Sequence, residues 1–278
     1  MLINTQKESL VPSSDGRRVH VIALVNQKGG SGKTTTCLNV AGALADRELS
    51  VLVVDLDPQA SFTVALDVEP SRHGRLSDAL LRDDVDLTAL IVHTPVPHID
   101  VIPGDPELRR IELALSEVEG REMRLRMALQ ASMRRLRDKY DYILIDCPPA
   151  LGYLTTNASN AANEVILPVN LDKMGMNALR ASLRTVNLVR QSTNVALEIL
   201  GILPTQVNMR TKLDQARDEH LRSLYNSQVF ETVIPTSVQV KEAIEMAVPV
   251  TTYAKRGAIA KRYRKLVDEI IDREARHA

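Results

Sequence analysis

Aromatic residues, cysteines and long apolar runs are scarce in this chain of 278 residues. Aromatic residues make up 3% of the sequence, tryptophan is absent, and only two cysteines occur. Cys37 and Cys147 have no metal-ligand or redox spacing, which argues against a disulfide framework or a metal cluster and suggests a reducing compartment. No apolar run approaches the roughly 18 residues that a membrane-spanning helix needs. The sequence therefore predicts a cytoplasmic protein without stable membrane insertion.

The chain also has no excess of either charge. Lysine plus arginine and aspartate plus glutamate both number 35, so the formal net charge is zero. A basic field over the whole molecule is therefore absent, and any site for a polyanion must be a local patch. Hydrophobic residues make up 44% of the sequence, which is ample for a core. The length allows one large α/β domain or two smaller ones.

Short apolar runs alternate with longer helical patterns along the chain. Continuous Val, Ile and Leu strands between helices indicate a doubly wound, mostly parallel sheet with helices on both faces. Because no Gly/Ser/Pro-rich linker divides the chain, we predict a flexible tail over residues 1–18 and a single domain over residues 19–278. The stretch 68–96 indicates a short helix and a surface excursion. The predicted strands are 19–25, 51–55, 99–102, 142–146, 165–169, 199–205 and 229–233, and the predicted helices are 33–47, 106–116, 121–140, 176–191, 213–226 and 258–276.

The most informative segment, residues 25–36, reads Val-Asn-Gln-Lys-Gly-Gly-Ser-Gly-Lys-Thr-Thr-Thr. It lies between an apolar strand and a helical pattern, where a glycine-rich loop presents backbone N–H groups and a helix N-terminus to a polyphosphate. Lys33 can reach the β- and γ-phosphates, and the Thr34 hydroxyl can ligate Mg²⁺. Gln27 stands where the usual loop has its first glycine, and Lys28 adds a second cation. The predicted nucleotide-binding residues of this loop are Lys28, Gly29, Gly30, Ser31, Gly32, Lys33, Thr34 and Thr35.

Two predicted strands end in acidic residues. One continues as Asp55-Leu56-Asp57-Pro58-Gln59, and the other ends as Asp146-Cys147-Pro148-Pro149. Because ligands of doubly wound sheets bind beyond the carboxyl ends of the strands, these carboxylates should face the phosphate loop. Asp55 and Asp57 are two residues apart and can share one side of the strand, and Asp146 has the form of a Walker B acid. For either acid of the first segment alone, the alternative is a cap of the loop or of the next helix.

Together these segments resemble the ParA-type partition ATPases, a branch of the deviant Walker A ATPases. The likeness rests on residues 28–34, 55–59 and 146–149, is supported by residues 229–235 and 240–243, and extends over about residues 19–275. The short N-terminus is similar to that of the compact members, which lack an added DNA-binding domain. The resemblance implies a P-loop NTPase fold, ATP and Mg²⁺ as cofactors, ATP hydrolysis, and a homodimer formed with ATP.

The resemblance also implies a role for each site residue. Lys28 would reach across an ATP-sandwiched dimer to the partner subunit's nucleotide, whereas Lys33 would act within its own subunit. Asp57 would orient the attacking water, and Asp55 would lie close by in the metal and switch region. The implied catalytic residues are Lys28, Lys33, Asp55 and Asp57, the implied metal ligands are Thr34, Asp55 and Asp146, and the implied adenine contacts are Asn208 and Pro235.

A DNA-binding surface is the least direct implication. Compact relatives bind DNA without sequence preference as ATP dimers, through basic residues of the C-terminal half, and act with a ParB-like adaptor on plasmid or chromosome DNA. The resemblance thus implies a cytoplasmic, nucleoid-associated protein. Thr236, Ser237 and Gln239 stand where relatives often carry arginines. The basic residues implied to contact double-stranded DNA here are Arg210, Lys241, Lys255, Arg256, Lys261 and Arg262.

Two alternatives remain open at this point. A ParA-like ATPase that positions a protein cargo would use the same motor with a different adaptor, so the sequence does not separate it from DNA partition. A Min-type membrane-associated regulator would need a C-terminal amphipathic helix with bulky apolar residues. Residues 266–278 contain several apolar side chains but end in charged residues, which favours docking of this helix on the sheet.

Overall fold

The computed structural model describes residues 18–82 and 85–277, so nearly all of the predicted tail lies outside the described part. The strands of this part are β1 (His20–Leu24), β2 (Val51–Asp55), β3 (Val92–His93), β4 (Ile99–Ile102), β5 (Tyr142–Asp146), β6 (Glu164–Asn170), β7 (Glu198–Val207) and β8 (Ile234–Pro235). The α-helices are α1 (Lys33–Ala45), α2 (Ser61–Ala65), α3 (Leu76–Leu80), α4 (Leu108–Ala114), α5 (Arg124–Arg137), α6 (Tyr153–Ala161), α7 (Lys173–Ser192), α8 (Lys212–Tyr225), α9 (Val238–Glu245), α10 (Val250–Tyr253) and α11 (Ala258–His277).

These strands form one sheet in the order β3-β4-β2-β5-β1-β6-β7-β8. Every neighbouring pair is parallel except β3 with β4. Leu24 is the register partner of Asp146, and Asp146 is the partner of Asp55. The ends of β1, β5 and β2 therefore lie side by side, where the strand order reverses and a crevice opens for a ligand.

Alternating side chains of each central strand enter two separate core layers. On β1, Val21 and Ala23 pack with α3 to α8, whereas Ile22 and Leu24 pack with α1, α2 and α9 to α11. Successive strand residues point to opposite faces, so a sheet covered on both faces needs apolar residues at both sets of positions. The continuous apolar runs of the sequence follow from this arrangement.

Most of the predicted elements are confirmed. β2, β4 and β5 have the predicted bounds, and β1, β6 and β7 agree within two residues. The six predicted helices correspond to α1, α4, α5, α7, α8 and α11, with ends that differ by at most three residues. In α11, Leu266, Val267 and Ile270 are fully buried in the core, as the docking of this helix on the sheet requires. Among the described residues, no helix combines the length and apolarity needed to cross a bilayer.

The predicted strand 229–233 is wrong. Val229 makes only an isolated bridge to Ile202, and the edge strand is β8. The reason is a side chain that replaces strand pairing: the backbone N–H groups of Glu231 and Thr232 donate to the Glu269 carboxylate of α11 at 2.8 and 3.1 Å. The segment is thereby held by α11 until β8 begins.

Candidate active site

The glycine-rich segment forms a loop between β1 and α1, as predicted. Gly30 and Gly32 have φ angles of 73° and 88°, in the left-handed region that favours glycine. Gly32 immediately precedes the first residue of α1, Lys33. The unpaired N–H groups of the first helical turn are directed toward the loop, and such an arrangement binds anions.

The phosphate loop is fastened to the carboxyl end of β7. The Thr205 hydroxyl donates to the Ser31 carbonyl oxygen at 2.8 Å, and Gln206 Nε2 donates to the Gly30 carbonyl oxygen at 2.8 Å. These bonds occupy two carbonyl groups of the loop. They therefore help to fix its shape before any ligand binds.

Lys33 is directed into the site although the loop is at the surface. Its side chain is 6% exposed, and Nζ lies 3.4 Å from the Lys28 carbonyl oxygen. Burial lowers the pKa of Lys33, and the charges of Asp146 and Asp57 oppose this effect. The lysine and both acids therefore share one electrostatic environment.

Asp146 lies at the end of β5 and is fully buried. Neither of its carboxylate oxygens has a hydrogen-bond partner among the described residues. Burial raises its pKa well above the ordinary value, the Asp55 charge adds to this, and Thr34 and Lys33 act in the opposite direction. A buried carboxylate without a donor is costly unless a cation pairs with it. Because Mg²⁺ is held by one or two carboxylates and hydroxyl or water oxygens, Asp146 and Thr34 fit a magnesium ion.

Asp55 ends β2 and is equally buried, but its oxygens are occupied. Oδ2 accepts from the N–H and the hydroxyl of Thr63 at 2.9 and 2.7 Å, and Oδ1 accepts from the Asp57 N–H at 3.2 Å. Burial raises the pKa of Asp55 to about 6 in spite of these bonds. The geometry thus shows Asp55 bracing the loop after β2, and its place in the metal shell stays a prediction.

Asp57 lies on that loop and is 7% exposed. Its Oδ1 accepts from the Gln59 N–H at 2.9 Å, which orients the carboxylate within the loop. Its charge acts on both Lys33 and Asp146. The structure therefore brings Asp57 to the same site as the phosphate loop.

Lys28 is paired within its own subunit. Its Nζ lies 2.6 Å from Asp172 Oδ2, and Asp172 Oδ1 accepts from the Gly175 N–H at the start of α7. The hydrogen bond from Lys28 is the main reason that the pKa of Asp172 is lowered. To act on another subunit, Lys28 must leave this partner.

A cleft of about 240 Å³ opens beside the phosphate loop. Pro235 lines it, together with Gly32, Thr35, Gln206 and Lys241. Asn208, the other expected adenine contact, is absent from the described lining; it lies exposed in the β7–α8 connection, with its N–H donating to Asp214. The structure therefore brings Pro235 but not Asn208 to the cleft.

The basic residues expected to contact DNA are all exposed. Lys241 lies on α9, Lys255 and Arg256 connect α10 to α11, and Lys261 and Arg262 lie on the first half of α11. Because α10 packs against both α9 and α11, the structure brings these elements together. Arg210 lies on a different segment, the β7–α8 connection.

Three residues that hold the site were not predicted from the sequence: Thr63 and Asp172, which bond to Asp55 and Lys28, and Gly104, whose N–H donates to the Thr63 hydroxyl oxygen. Asp172 follows β6 and precedes α7, and an aspartate before a helical pattern is an N-cap signal that could have indicated it. The other two have no comparable local signal, because their importance depends on contacts between distant segments.

The edge of the sheet where β1, β2 and β5 end thus has what a polyphosphate and its metal require. The loop supplies N–H groups and Lys33, β5 supplies an unpartnered acid, and the loop after β2 supplies Asp57. This combination of fold and site defines the chain as a P-loop ATPase, and the additional Lys28 indicates the deviant Walker A branch.

Comparison with known proteins narrows the class to a family. The AAA domain family matches residues 19–199. The sporulation initiation inhibitor protein Soj of Bacillus subtilis is 38% identical over 250 residues, which cover 90% of this chain and 97% of the relative. The chromosome partitioning protein ParA of Caulobacter vibrioides is 38% identical over 257 residues, covering 92% and 95%. The chain belongs to the ParA-type partition ATPases.

A solved structure extends the comparison to three dimensions. That structure is of cobyrinic acid a,c-diamide synthase from Mycobacterium smegmatis, with bound ADP and magnesium. It is 32% identical to this chain with a TM-score of 0.76, and the match covers 90% of this chain and 93% of that one. The doubly wound P-loop fold expected from the sequence is confirmed.

Proposed function

We propose that this protein is a Mg²⁺-dependent ATPase that dimerises on ATP, binds double-stranded DNA without sequence preference, and segregates or positions DNA with a ParB-like partner in the cytoplasm. The observation that carries the proposal is the phosphate loop with two lysines, placed beside the unpartnered Asp146 and the buried Asp57. Relatives named for chromosome partitioning support the biological role.

In the proposed mechanism, Lys33 and the backbone N–H groups of the loop bind the nucleotide phosphates. Thr34 and Asp146 would hold Mg²⁺, and the ion would neutralise phosphate charge when it is bound. Asp57 accepts a hydrogen bond from the attacking water and orients it toward the γ-phosphate. Asp55 keeps the loop of Asp57 in place through its three accepted hydrogen bonds.

Dimerisation brings a further positive charge, that of Lys28, to the nucleotide of the other subunit. Lys28 exchanges its partner Asp172 for the nucleotide of the second subunit, so that the dimer interface and the catalytic site are completed together. Phosphoryl transfer depends mainly on positioning and charge neutralisation, and a lysine supplied in trans links both to assembly. The ATP state and the dimer state then become a single switch for attachment to DNA.

The test is steady-state hydrolysis combined with nucleotide binding. We expect Lys33→Ala to lose ATP binding, whereas Asp57→Ala should retain it and lose turnover by about 100-fold or more, as expected for removal of a group that acts in the transition state. Asp138→Ala and Lys139→Ala, exposed residues after α5, are the matched controls and should behave as wild type. Wild-type turnover by Asp57→Ala would reject the water-orienting role.

A further inference from the structure

One carboxylate joins the two ends of the loop that carries Asp57. Thr63, on α2, is 5% exposed, and both its N–H and its hydroxyl donate to Asp55 Oδ2. The other oxygen of Asp55 accepts from the Asp57 N–H. Residues 57 and 63 are therefore tied to the same rigid point at the end of β2.

The connection after β4 holds this loop from a second side. The Gly104 N–H donates to the Thr63 hydroxyl oxygen at 3.0 Å, so the hydroxyl donates to one partner and accepts from another. A Cβ atom added to Gly104 would lie 3.0 Å from Asp55 Cγ and 3.0 Å from the backbone carbonyl oxygens of Asp55 and Asp57. Contacts this short are tighter than nine in ten real Cβ contacts, so a side chain at this position would require Asp55 or the backbone of the loop to shift by a few tenths of an ångström.

The same connection is itself anchored. The carboxylate of Asp105, next to Gly104, accepts from the Ser77 hydroxyl at 2.7 Å and from the Ser77 N–H at 3.1 Å. Asp105 and Ser77 are both buried. The chain of bonds from Asp55 through Thr63 to Gly104 thus ends on a fixed element and not on a free loop.

We propose that Thr63 is a positioning residue for hydrolysis, acting with Gly104 to hold the Asp57 carboxylate in its productive place. The inference rests on the proposed function of Asp57 and adds the residues that fix the position of its carboxylate. Asp57 lies on the loop between β2 and α2, outside any helix or strand, so the position of its carboxylate depends on the bonds that hold this loop. A misplacement of about 1 Å in a catalytic group can cost about 100-fold in rate, so the geometry of this loop controls turnover.

The first test replaces the hydroxyl while keeping the shape of the side chain. Thr63→Val removes the bonds to Asp55 Oδ2 and from Gly104 that use the hydroxyl. We expect kcat to fall by about 100-fold at saturating Mg-ATP, while the Kd for ATP changes by less than about threefold. Thr63→Ser restores the hydroxyl and should restore kcat. Amide hydrogen exchange over residues 57–63 of the nucleotide-free protein should be faster in Thr63→Val and close to wild type in Thr63→Ser.

A second variant disturbs the loop without removing the hydroxyl. Gly104→Ala places a methyl group against Asp55 and the backbone of Asp57, and we expect the same loss of kcat with retained ATP binding. The matched control is Ser132→Ala on α5, a buried hydroxyl that accepts the Leu87 N–H at 2.7 Å. This control removes a comparable hydrogen bond far along the chain and should reduce stability without lowering kcat.

The outcomes separate this inference from the proposed function. Wild-type kcat and unchanged amide exchange in Thr63→Val, alongside an inactive Asp57→Ala, would reject the positioning role alone. Wild-type kcat in Asp57→Ala would reject the function on which the inference rests. Should Thr63→Val fail to fold, Gly104→Ala and Thr63→Ser decide the question, since full activity of Gly104→Ala would also reject the role.

Discussion

Asp55 and Asp146 end neighbouring strands and are both fully buried, but their surroundings give them different chemistry. Asp55 accepts one hydrogen bond from the loop that follows it and two from Thr63 of α2, whereas neither oxygen of Asp146 has a hydrogen-bond partner among the described residues. A buried carboxylate is stable when donors or a cation satisfy it. The first is therefore suited to hold structure, and the second to receive a cation.

The first prediction concerns the proton on Asp55. Its pKa is raised from 3.8 to about 6 in the folded protein, so folding takes up a proton in this range. The stability due to this proton is fully present below pH 3.8 and is lost as the pH rises through about 6. Relative to Asp55→Asn, the wild type should gain on the order of 1–3 kcal/mol in free energy of unfolding between pH 7.5 and pH 4.5. Urea unfolding of the nucleotide-free proteins measures this difference.

The control for the pH effect is Asp138→Asn, an exposed residue after α5. The free energy of unfolding of this variant, relative to wild type, should stay constant over the same pH range. If the Asp55→Asn and wild-type curves were parallel, the raised pKa of Asp55 would be wrong.

How much of the site could be predicted depends on whether its residues are contiguous. Lys28, Lys33 and Thr34 lie in one short segment with a recognisable spacing, and Asp57 follows a clear strand. Thr63 and Gly104 come together only because β2 and β4 are neighbours in the sheet, which no local pattern reveals. The bracing role of Asp55 rests mainly on Thr63, which the loop and α2 return to the end of β2, and no sequence pattern around Asp55 reveals that contact.

At the scale of elements, burial explains which predictions succeeded. The central strands are covered on both faces, so their apolar runs are unambiguous. Short helices such as α2 and α10 have five and four residues, too few for a periodic pattern, and they depend on tertiary contacts. The antiparallel strand β3 has two residues and was missed for a similar reason.

The second prediction concerns the packing of α1 against α10. Gly42 lies inside α1, and an added Cβ would lie 2.4 Å from Pro249 Cβ and 2.6 Å from Thr251 Oγ1. Alanine in a helix interior usually adds about 1 kcal/mol over glycine, but overpacking a core costs about 1–3 kcal/mol. Gly42→Ala should therefore lower the free energy of unfolding, as measured by urea titration.

The control for this packing effect is the opposite substitution in the same helix. Ala45→Gly, at the half-buried last residue of α1, should cost up to about 1 kcal/mol, through helix propensity and the loss of a methyl group that packs against the core. Glycine would thus be preferred at one position of α1 and alanine three residues later. A stabilised Gly42→Ala protein would contradict the close packing of α1 on the segment that contains Pro249.

At the scale of the whole molecule, the zero net charge conceals an uneven distribution. The first half of α11 has four basic residues and no acidic one, Lys261, Arg262, Arg264 and Lys265, whereas the second half has four acidic residues, Asp268, Glu269, Asp272 and Glu274, beside Arg273 and Arg276. Arg264 is already paired with Asp46, which leaves its exposed neighbours for a ligand. One subunit therefore offers few phosphate contacts, and a dimer that aligns two patches would offer twice as many.

The last prediction is that ATP controls DNA binding, because the ATP dimer offers twice as many phosphate contacts as one subunit. The affinity for DNA falls with salt at a log–log slope of about −0.9 for each neutralised phosphate, so a dimer gains both affinity and salt sensitivity. Asp57→Ala, which should retain ATP, should bind two unrelated duplexes equally with ATP and much more weakly with ADP. Adding Lys28→Ala should lower binding with ATP, because the lysine that leaves Asp172 is needed to close the dimer. Fluorescence anisotropy over a salt series, with sedimentation for the dimer, measures both effects.

The surface itself is tested by a matched pair of double variants in the Asp57→Ala background. Lys261→Ala with Arg262→Ala removes four cations from a dimer and should reduce the magnitude of the salt slope by up to about 4. Arg134→Ala with Lys139→Ala removes the same number of exposed cations on and after α5 and should leave the slope unchanged. Equal effects of both pairs would indicate a general charge effect and reject the α11 surface. Affinity independent of nucleotide would reject the switch, because then dimerisation would add no contacts to DNA.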